Sequence, residues 1–212
     1  MKLISHIKAA SRLVFPVALL GALSLPSWAL IEYSDSQRET VVEMIEQLEE
    51  RHYAKLRYDD ALSSQHLDSY IDSLDRGKMF FLASDLAEFE KYRTVMDDQL
   101  NEGTLDAGFV IFNRFHQRLE QRMETILSTL PDAVAGFDFT IDESYLLDLD
   151  DRVWAKTEAE LDDRCRKQLK NQVLSLKLAD KAEDEIVPTL EKRYRNQLKR
   201  VQQYNNQDVF QI

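Results

Sequence analysis

The sequence predicts an all-α fold, which we expect to be an irregular multi-helix domain of about six helices with one long aromatic-containing loop. Glycine and proline are scarce, at 5 and 4 of 212 residues, too few to punctuate many short strands. Apolar residues recur at spacings of three and four along most of the chain, as on one face of a helix. The formal net charge of −11 disfavours binding to nucleic acid, whose phosphates it would repel.

The first segment has the pattern of a secretory signal peptide. Three basic residues precede an apolar run from Leu13 to Leu25, and a run this short falls below the roughly 20 residues of a membrane-spanning helix. Ser27 and Ala29 then place small residues at the −3 and −1 positions of a signal peptidase site. We therefore expect residues 1–29 to be removed by cleavage between Ala29 and Leu30, and residues 30–204 to form the helical domain.

We predict the first three helices at about residues 37–56, 59–77 and 84–103. Asp59 and Asp60 are placed to cap the second helix, because a short carboxylate side chain accepts from free backbone N–H groups. Ser84 is the expected N-cap of the third helix, and Gly103 its left-handed C′ residue.

The fourth helix carries the longest apolar pattern, from Thr104 to a predicted stop at Pro131. Phe109, Phe112 and Phe115 lie within it. Two interpretations stay open for this cluster: a buried core face, which is the commoner outcome for such spacing, or a groove for apolar peptides. His116 lies on the same face, where a core histidine is expected rather than a catalytic base.

Residues 132–156 lose helical periodicity, and we predict an ordered loop docked on the helices. This loop holds four aromatic residues that form our candidate docking surface, namely Phe137, Phe139, Tyr145 and Trp154.

Two further helices follow the loop. Thr157 and Glu160 have the spacing of a capping box at the start of the fifth helix. The last helix should span about 182–204 with Pro188 in its first turn or at a kink. Residues 205–212 look like a cap and the opening of a following segment, which we expect to be truncated.

No motif for catalysis, cofactor binding or metal binding is present. The sequence has no GxSxG, HExxH, Walker or GxGxxG pattern. Glu49-x-x-His52 has di-iron spacing but no second copy, and the acidic run from Asp148 has Val153 where a calcium loop needs glycine. We therefore predict no catalytic residue, cofactor or metal. The single cysteine, Cys165, is either a reactive thiol, a partner in an intermolecular disulfide or, as its apolar stripe favours, a buried small hydrophobe.

Several motifs together resemble one known family. In chain order they are His52-Tyr53, Phe81 to Leu86, Phe137-Asp138-Phe139, Tyr145, Trp154, Glu160 to Asp163, Arg166-Lys167, Lys170-Asn171, Leu174 to Leu178 and Arg193-Tyr194. Their order and spacing are similar to those of the N-terminal domain of tail-specific (carboxy-terminal processing) proteases. Two positions depart from that pattern: Cys165 replaces a usual Trp and Asp180 a usual Gly.

The resemblance implies a periplasmic protease in which this helical domain precedes a PDZ domain and a core with a Ser-Lys dyad. No residue here matches the dyad, so no catalytic role is carried over. The resemblance also implies substrates with apolar C-terminal tails and a helical-repeat lipoprotein adaptor as partners. Our main hypothesis is a non-catalytic scaffold of such a protease. The alternatives are a free-standing periplasmic binding or chaperone-like module that uses the Phe-rich helix and the aromatic loop, and an unrecognised enzyme or metalloprotein.

Overall fold

The computed structural model describes residues 30–51, 57–149 and 151–212. Within these ranges the chain forms eight α-helices and a 3-10 turn at Glu90–Tyr92. The helices are α1 (Asp35–Arg51), α2 (Asp60–Asp75), α3 (Ala83–Phe89), α4 (Met96–Asn101), α5 (Asp106–Ala135), α6 (Glu158–Leu178), α7 (Glu183–Val201) and α8 (Asn206–Phe210). The all-α prediction is confirmed, because the described ranges contain no strand and only one isolated parallel bridge, between Leu82 and Ala155.

None of the helices in the described part of the chain is both long enough and apolar enough to cross a lipid bilayer. The apolar run at residues 13–25 and the predicted cleavage residue Ala29 lie outside the described ranges.

The core forms around α5, the longest helix, which packs along α7 and also contacts α2, α6 and α8. A large cluster joins α2, α5, α6 and α7 with Phe81 and Phe89, and a smaller one joins α1, α5 and α8. Phe109, Phe112 and Phe115 are 6%, 1% and 7% exposed. The core interpretation of these three phenylalanines is thus confirmed, although Phe109 also lines a cavity between α1, α4, α5 and α8.

The predicted third helix is divided, so its expected continuity is wrong. Its N-cap is Leu82 and not Ser84, because the carboxylate of Asp85 accepts from the Leu82 N–H at 2.8 Å. The chain then turns and restarts as α4, where the Ser63 hydroxyl of α2 accepts from the Met96 N–H at 3.1 Å. A side chain from a neighbouring helix here replaces the backbone partner that a continuous helix would supply.

Gly103 ends α4 as predicted, in the left-handed region with φ +73°. The Gly103 N–H donates to Leu100 O (3.1 Å) and the Thr104 N–H donates to Gln99 O (2.7 Å), the two bonds of a Schellman motif. A Cβ at this position would lie 3.2 Å from Arg38 O. Glycine therefore satisfies both the backbone conformation and the close approach of α1.

Pro131 does not stop α5, which continues to Ala135, so that prediction is wrong. Proline has no backbone N–H to donate to the preceding turn, and its ring crowds the carbonyl oxygen there, so Pro131 costs the helix one hydrogen bond and some steric strain. Leu130 is 1% exposed, and Ala133 and Val134 pack on the large core cluster. This tertiary packing outweighs the local preference for a break. Pro188 is likewise accommodated inside α7.

The capping box predicted for α6 forms only in part. The Thr157 hydroxyl accepts from the Glu160 N–H at 3.2 Å, but the Glu160 carboxylate accepts from Lys156 N at 2.7 Å rather than from Thr157 N. At the other end Asp180 has φ +56° in a second Schellman motif. Aspartate therefore occupies the left-handed position that glycine would fill with less strain.

Residues 205–212 fold back onto the domain. Asn205 and Asp208 form the capping box of α8, and Val209 is buried in the cluster shared by α1 and α5. The Gln37 amide of α1 donates to Asn206 O at 2.9 Å. The division of the chain after residues 29 and 204 stays a prediction.

Candidate docking surface

Phe137 and Phe139 begin the long loop between α5 and α6. Phe137 packs half-buried on the core, whereas Phe139 is 37% exposed, with its ring centroid 6.3 Å from that of Phe137. The ammonium groups of Lys170 and Lys177 on α6 each lie 5.5 Å from the Phe139 ring centroid. Cation–π attraction therefore holds this part of the loop against α6.

Tyr145 and Trp154 lie in different environments. Tyr145 shares a groove of about 170 Å³ with Phe139, and its hydroxyl accepts from the Arg152 guanidinium at 3.0 Å. Trp154 instead packs against the core, with its ring centroid 6.2 Å from that of Phe81 and 5.7 Å from the Lys78 ammonium. The structure thus groups Phe139 with Tyr145 and Phe137, and places Trp154 apart from them. Their docking role stays a prediction.

A second groove, of about 530 Å³, adjoins the first one. Both grooves are lined by Ser144, Tyr145 and Lys167, so they form one continuous surface. We name it the loop–α6 surface and define it by its exposed apolar members, Phe139, Ile141, Leu146, Val153 and Leu174. Val153 is 75% exposed. Such concentrated apolar exposure is typical of an interaction site.

Arg152 anchors the loop, and sequence reasoning missed it. The residue is 6% exposed, and its guanidinium donates to Gly77 O (2.9 Å), Leu146 O (2.6 Å) and the Tyr145 hydroxyl. The Lys78 ammonium donates in return to the Arg152 carbonyl oxygen. No local motif marks this residue, because its partners come from the segment after α2 and from the loop itself.

Asp75, at the end of α2, shapes the segment that receives Arg152. Its buried carboxylate accepts from the backbone N–H groups of Met79, Phe80 and Phe81 at 2.8–2.9 Å. Burial raises the pKa of Asp75, and the three backbone donors oppose that shift. The arrangement fixes the turn through Lys78, which has φ +49°.

Glu143 fixes the middle of the loop to α6. Its carboxylate pairs with Arg166 (Nη1 at 3.2 Å) and with the ammonium of Lys170. Hydrogen bonds from these two cations lower the pKa of Glu143 to about 2. The loop is therefore held by charge at Glu143 and Arg152 and by ring contacts at Phe139.

Three arginines of α5, spaced by four residues, bind the neighbouring helices. Arg114 and Arg118 both pair with the buried carboxylate of Asp85 at the start of α3. Arg118 also pairs with Glu158 in the first turn of α6 at 2.7 Å, and Arg122 pairs with Asp162. The start of α6, and with it the end of the loop, is thus fixed to the middle of α5.

A cavity of about 410 Å³ opens between α1, α4, α5 and α8. Its described lining holds no Asp, Glu, Lys or Arg, and the polar contact at its edge joins Tyr58 Oη to His66 Nδ1 at 2.5 Å. This lining offers apolar contact and no set of groups for acid–base or nucleophilic chemistry.

Cys165 and His116, which the sequence singled out as possible reactive groups, both lie in packed surroundings. Cys165 is buried, and burial raises the pKa of its thiol, which confirms the small-hydrophobe interpretation. His116 donates from Nε2 to Val201 O at 2.9 Å and stacks on Phe112, so it links α5 to α7. His52 lies outside the described residues. Among the residues that are described, no three or more His, Cys, Asp or Glu side chains are grouped to hold a metal.

These features define a class of protein: an all-α domain built around one long helix, with a long loop fixed by charge and an apolar surface on that loop. The family model of the tail-specific protease N-terminal domain matches residues 44–212. The chain is also 34% identical to a tail-specific protease of Haemophilus influenzae over 166 residues, which are 78% of this chain and 24% of that protein. The chain belongs to the family of tail-specific protease N-terminal domains. It spans about a quarter of the length of that relative.

Proposed function

We propose that the chain is the non-catalytic N-terminal scaffold of a periplasmic tail-specific protease. In this proposal a PDZ domain and a Ser-Lys protease core lie elsewhere in the parent protein, which degrades or trims proteins from apolar C-terminal tails. Family membership supports the proposal, and so does the relative named a tail-specific protease, which is about four times as long as the matched region.

The loop–α6 surface is the observation that carries the scaffold role. It exposes five apolar side chains among charged ones, yet its backbone is fixed by Arg152, Glu143 and the Lys–Phe139 contacts. A surface that is ordered before binding loses little conformational entropy when a partner covers it. The proposed occupants are the other domains of the parent protease, with a lipoprotein adaptor as a further proposed partner.

The free-standing binding module is a weaker alternative. Of the two contact surfaces expected for it, the Phe-rich face of α5 is buried. The aromatic loop would then have to carry all of its binding.

The proposal is tested by replacing the matching region of the Haemophilus influenzae protease with residues 44–212 of this chain. Hydrolysis of an unstructured protein with an apolar tail is then measured in the chimaera and in two variants. We expect the chimaera to be active and Val153→Asp, on the loop–α6 surface, to reduce activity at least about tenfold, since a carboxylate at this apolar position loses its water when a partner domain covers it.

Val110→Asp is the matched control, because Val110 is also exposed, at 45%, but lies on α5 outside both grooves. We expect it to retain activity. An inactive chimaera, equal losses in the two variants, or hydrolysis by residues 30–212 alone would contradict the scaffold role.

A further inference from the structure

Part of the loop between α5 and α6 has the geometry of an unpaired β-strand. The chain bends at Ile141 and again at Leu149, and between these two points it runs straight, with no turn or helix. Side-chain exposure alternates in this stretch: Glu143 and Tyr145 are half-buried, while the residues between and beside them are exposed. A period of two is the period of an extended chain. We call residues 142–147 the extended segment.

The backbone of the extended segment has almost no hydrogen-bond partner inside the domain. Across the described parts of the chain, one of its backbone groups is bonded, the Leu146 carbonyl oxygen, which accepts from Arg152 at 2.6 Å. In an extended chain the N–H and C=O of one residue point to the same edge, and those of the next residue point to the opposite edge. The edge formed by Glu143, Tyr145 and Leu147 therefore carries backbone donors and acceptors that bond to no described group.

The extended segment is nonetheless held in place at two points. The Glu143 carboxylate pairs with two cations of α6. The Arg152 guanidinium donates to the Tyr145 hydroxyl and to Leu146 O. An ordered, extended backbone with unpaired hydrogen-bonding groups is a template for a further strand. Because it is fixed beforehand, it loses little conformational entropy when a strand pairs with it.

The surroundings of the extended segment favour an apolar strand. The groove of about 170 Å³, lined by Ile141 and Leu174, lies beside its first residues. The groove of about 530 Å³, lined by Leu146 and Val153, lies beside its last ones. A strand that pairs with the segment can place alternate side chains in these grooves. Backbone pairing would thus supply affinity, and the grooves would select apolar side chains.

We propose that the extended segment pairs, through its edge at Glu143, Tyr145 and Leu147, with an extended apolar strand from the other domains of the parent protease. The inference rests on the scaffold role proposed above and names the contact through which that scaffold binds. About three quarters of the Haemophilus influenzae relative lies outside the matched region, which is ample length to supply such a strand. A strand within the same protein has a high effective concentration at this edge, so a short pairing suffices.

Hydrogen exchange resolved to single amides tests the pairing. It compares the 212-residue chain with the protease chimaera described above, in which residues 44–212 are joined to the other domains. In the 212-residue chain, the amides of residues 142–147 should exchange at about the rate of an unstructured peptide.

The chimaera should show an alternating pattern of protection. The amides of Glu143, Tyr145 and Leu147 should exchange at least about 25-fold more slowly than in the 212-residue chain. Opening each pair breaks two hydrogen bonds, and each bond contributes a factor of about five. The amides of Ser144 and Leu146, on the opposite edge, should exchange fast in both proteins and serve as internal controls.

Two substitutions at one position separate the backbone from the side chain. Leu147→Pro removes the N–H, whereas Leu147→Ala removes the same exposed side chain and keeps the N–H. Proline fits an extended chain, and this N–H bonds to no group in the described ranges, so both variants should fold. In the chimaera, Leu147→Pro should lower the protection of the Tyr145 amide at least about fivefold below that of Leu147→Ala.

Equal exchange in the chimaera and in the 212-residue chain would overturn the proposal, and so would equal protection in the two Leu147 variants. Uniform slowing of neighbouring amides would also overturn it, because it indicates coverage by side chains instead of strand pairing. Alternating protection already present in the 212-residue chain would show pairing between two copies and overturn the assigned source. Exchange is measured independently of proteolysis: an inactive chimaera with alternating protection contradicts the protease function alone, and an active one without it contradicts the pairing alone.

Discussion

Arg152→Met should be among the most destabilising single changes outside the apolar core. Methionine keeps most of the aliphatic length but removes the guanidinium, which donates to Gly77 O, Leu146 O and the Tyr145 hydroxyl. The two carbonyl groups then lose a charged donor in a site where the arginine is only 6% exposed. Leaving buried partners unpaired costs about 3–5 kcal/mol, a large share of the roughly 5–15 kcal/mol that stabilises a domain.

Urea unfolding of residues 30–212 measures this cost, because Trp154 is the one tryptophan left once Trp28 is removed. Its fluorescence reports on the loop, since the ring packs on Phe81, while circular dichroism reports on the helices. We expect the fluorescence transition of Arg152→Met to shift by about 3 kcal/mol or more. Arg195→Met, which removes an exposed pair with Glu191, should change stability by less than about 0.5 kcal/mol. A shift below about 1 kcal/mol for Arg152→Met would refute its role as the loop anchor.

Three further predictions concern a helix end, an ion pair and the thiol. Gly103→Ala should destabilise the domain by about 1–2 kcal/mol in urea unfolding, because the Gly103 φ is +73° and Arg38 O lies close to the new Cβ. Gly108→Ala, inside α5, should instead stabilise the domain by up to about 1 kcal/mol. A change of stability in the same direction for both variants would contradict this reasoning. The pKa of Glu143 is lowered to about 2, so its ion pairs stabilise the domain fully above the ordinary pKa of about 4.5 and lose that effect as the pH falls toward 2. The difference in melting temperature between wild type and Glu143→Gln should therefore be larger at pH 7 than at pH 2. An equal difference at the two pH values would disprove the role of this ion pair. The Cys165 thiol should resist an aromatic disulfide reagent in the native domain and react once urea unfolds it; rapid native reaction would show that the site is open.

Sequence reasoning succeeded where a local rule acts alone. Asp59 caps α2 as predicted, accepting from Ala61 N and Leu62 N at 3.1 Å, and Gly103 ends α4. It failed where a partner distant in sequence decides the outcome. The Ser63 hydroxyl helps to interrupt the third helix at Met96, and packing around Leu130 carries α5 past Pro131. Neither effect is visible in the local pattern.

The candidate site shows the same division. Composition alone indicated a docked loop with aromatic residues, and the structure places Phe139 and Tyr145 on one groove. Trp154 faces the core because Phe81, far away in sequence, offers it a ring. The anchoring role of Arg152 could not be predicted from sequence, because it depends on two carbonyl groups that only the fold brings together.

Because Arg118 pairs with Glu158, the domain can tolerate changes in the length and sequence of the loop between α5 and α6. Both ends of the loop leave from fixed points, one at the end of α5 and the other tied to the middle of the same helix. The entropic cost of closing a loop grows slowly with its length, by about 0.6 kcal/mol for each doubling. Apart from the positions that hold the loop in place, such as Glu143 and Arg152, residues between the two anchors can thus be inserted, deleted or exchanged while the helices keep their arrangement. At the other loop positions, binding preference can therefore change with little effect on the stability of the fold.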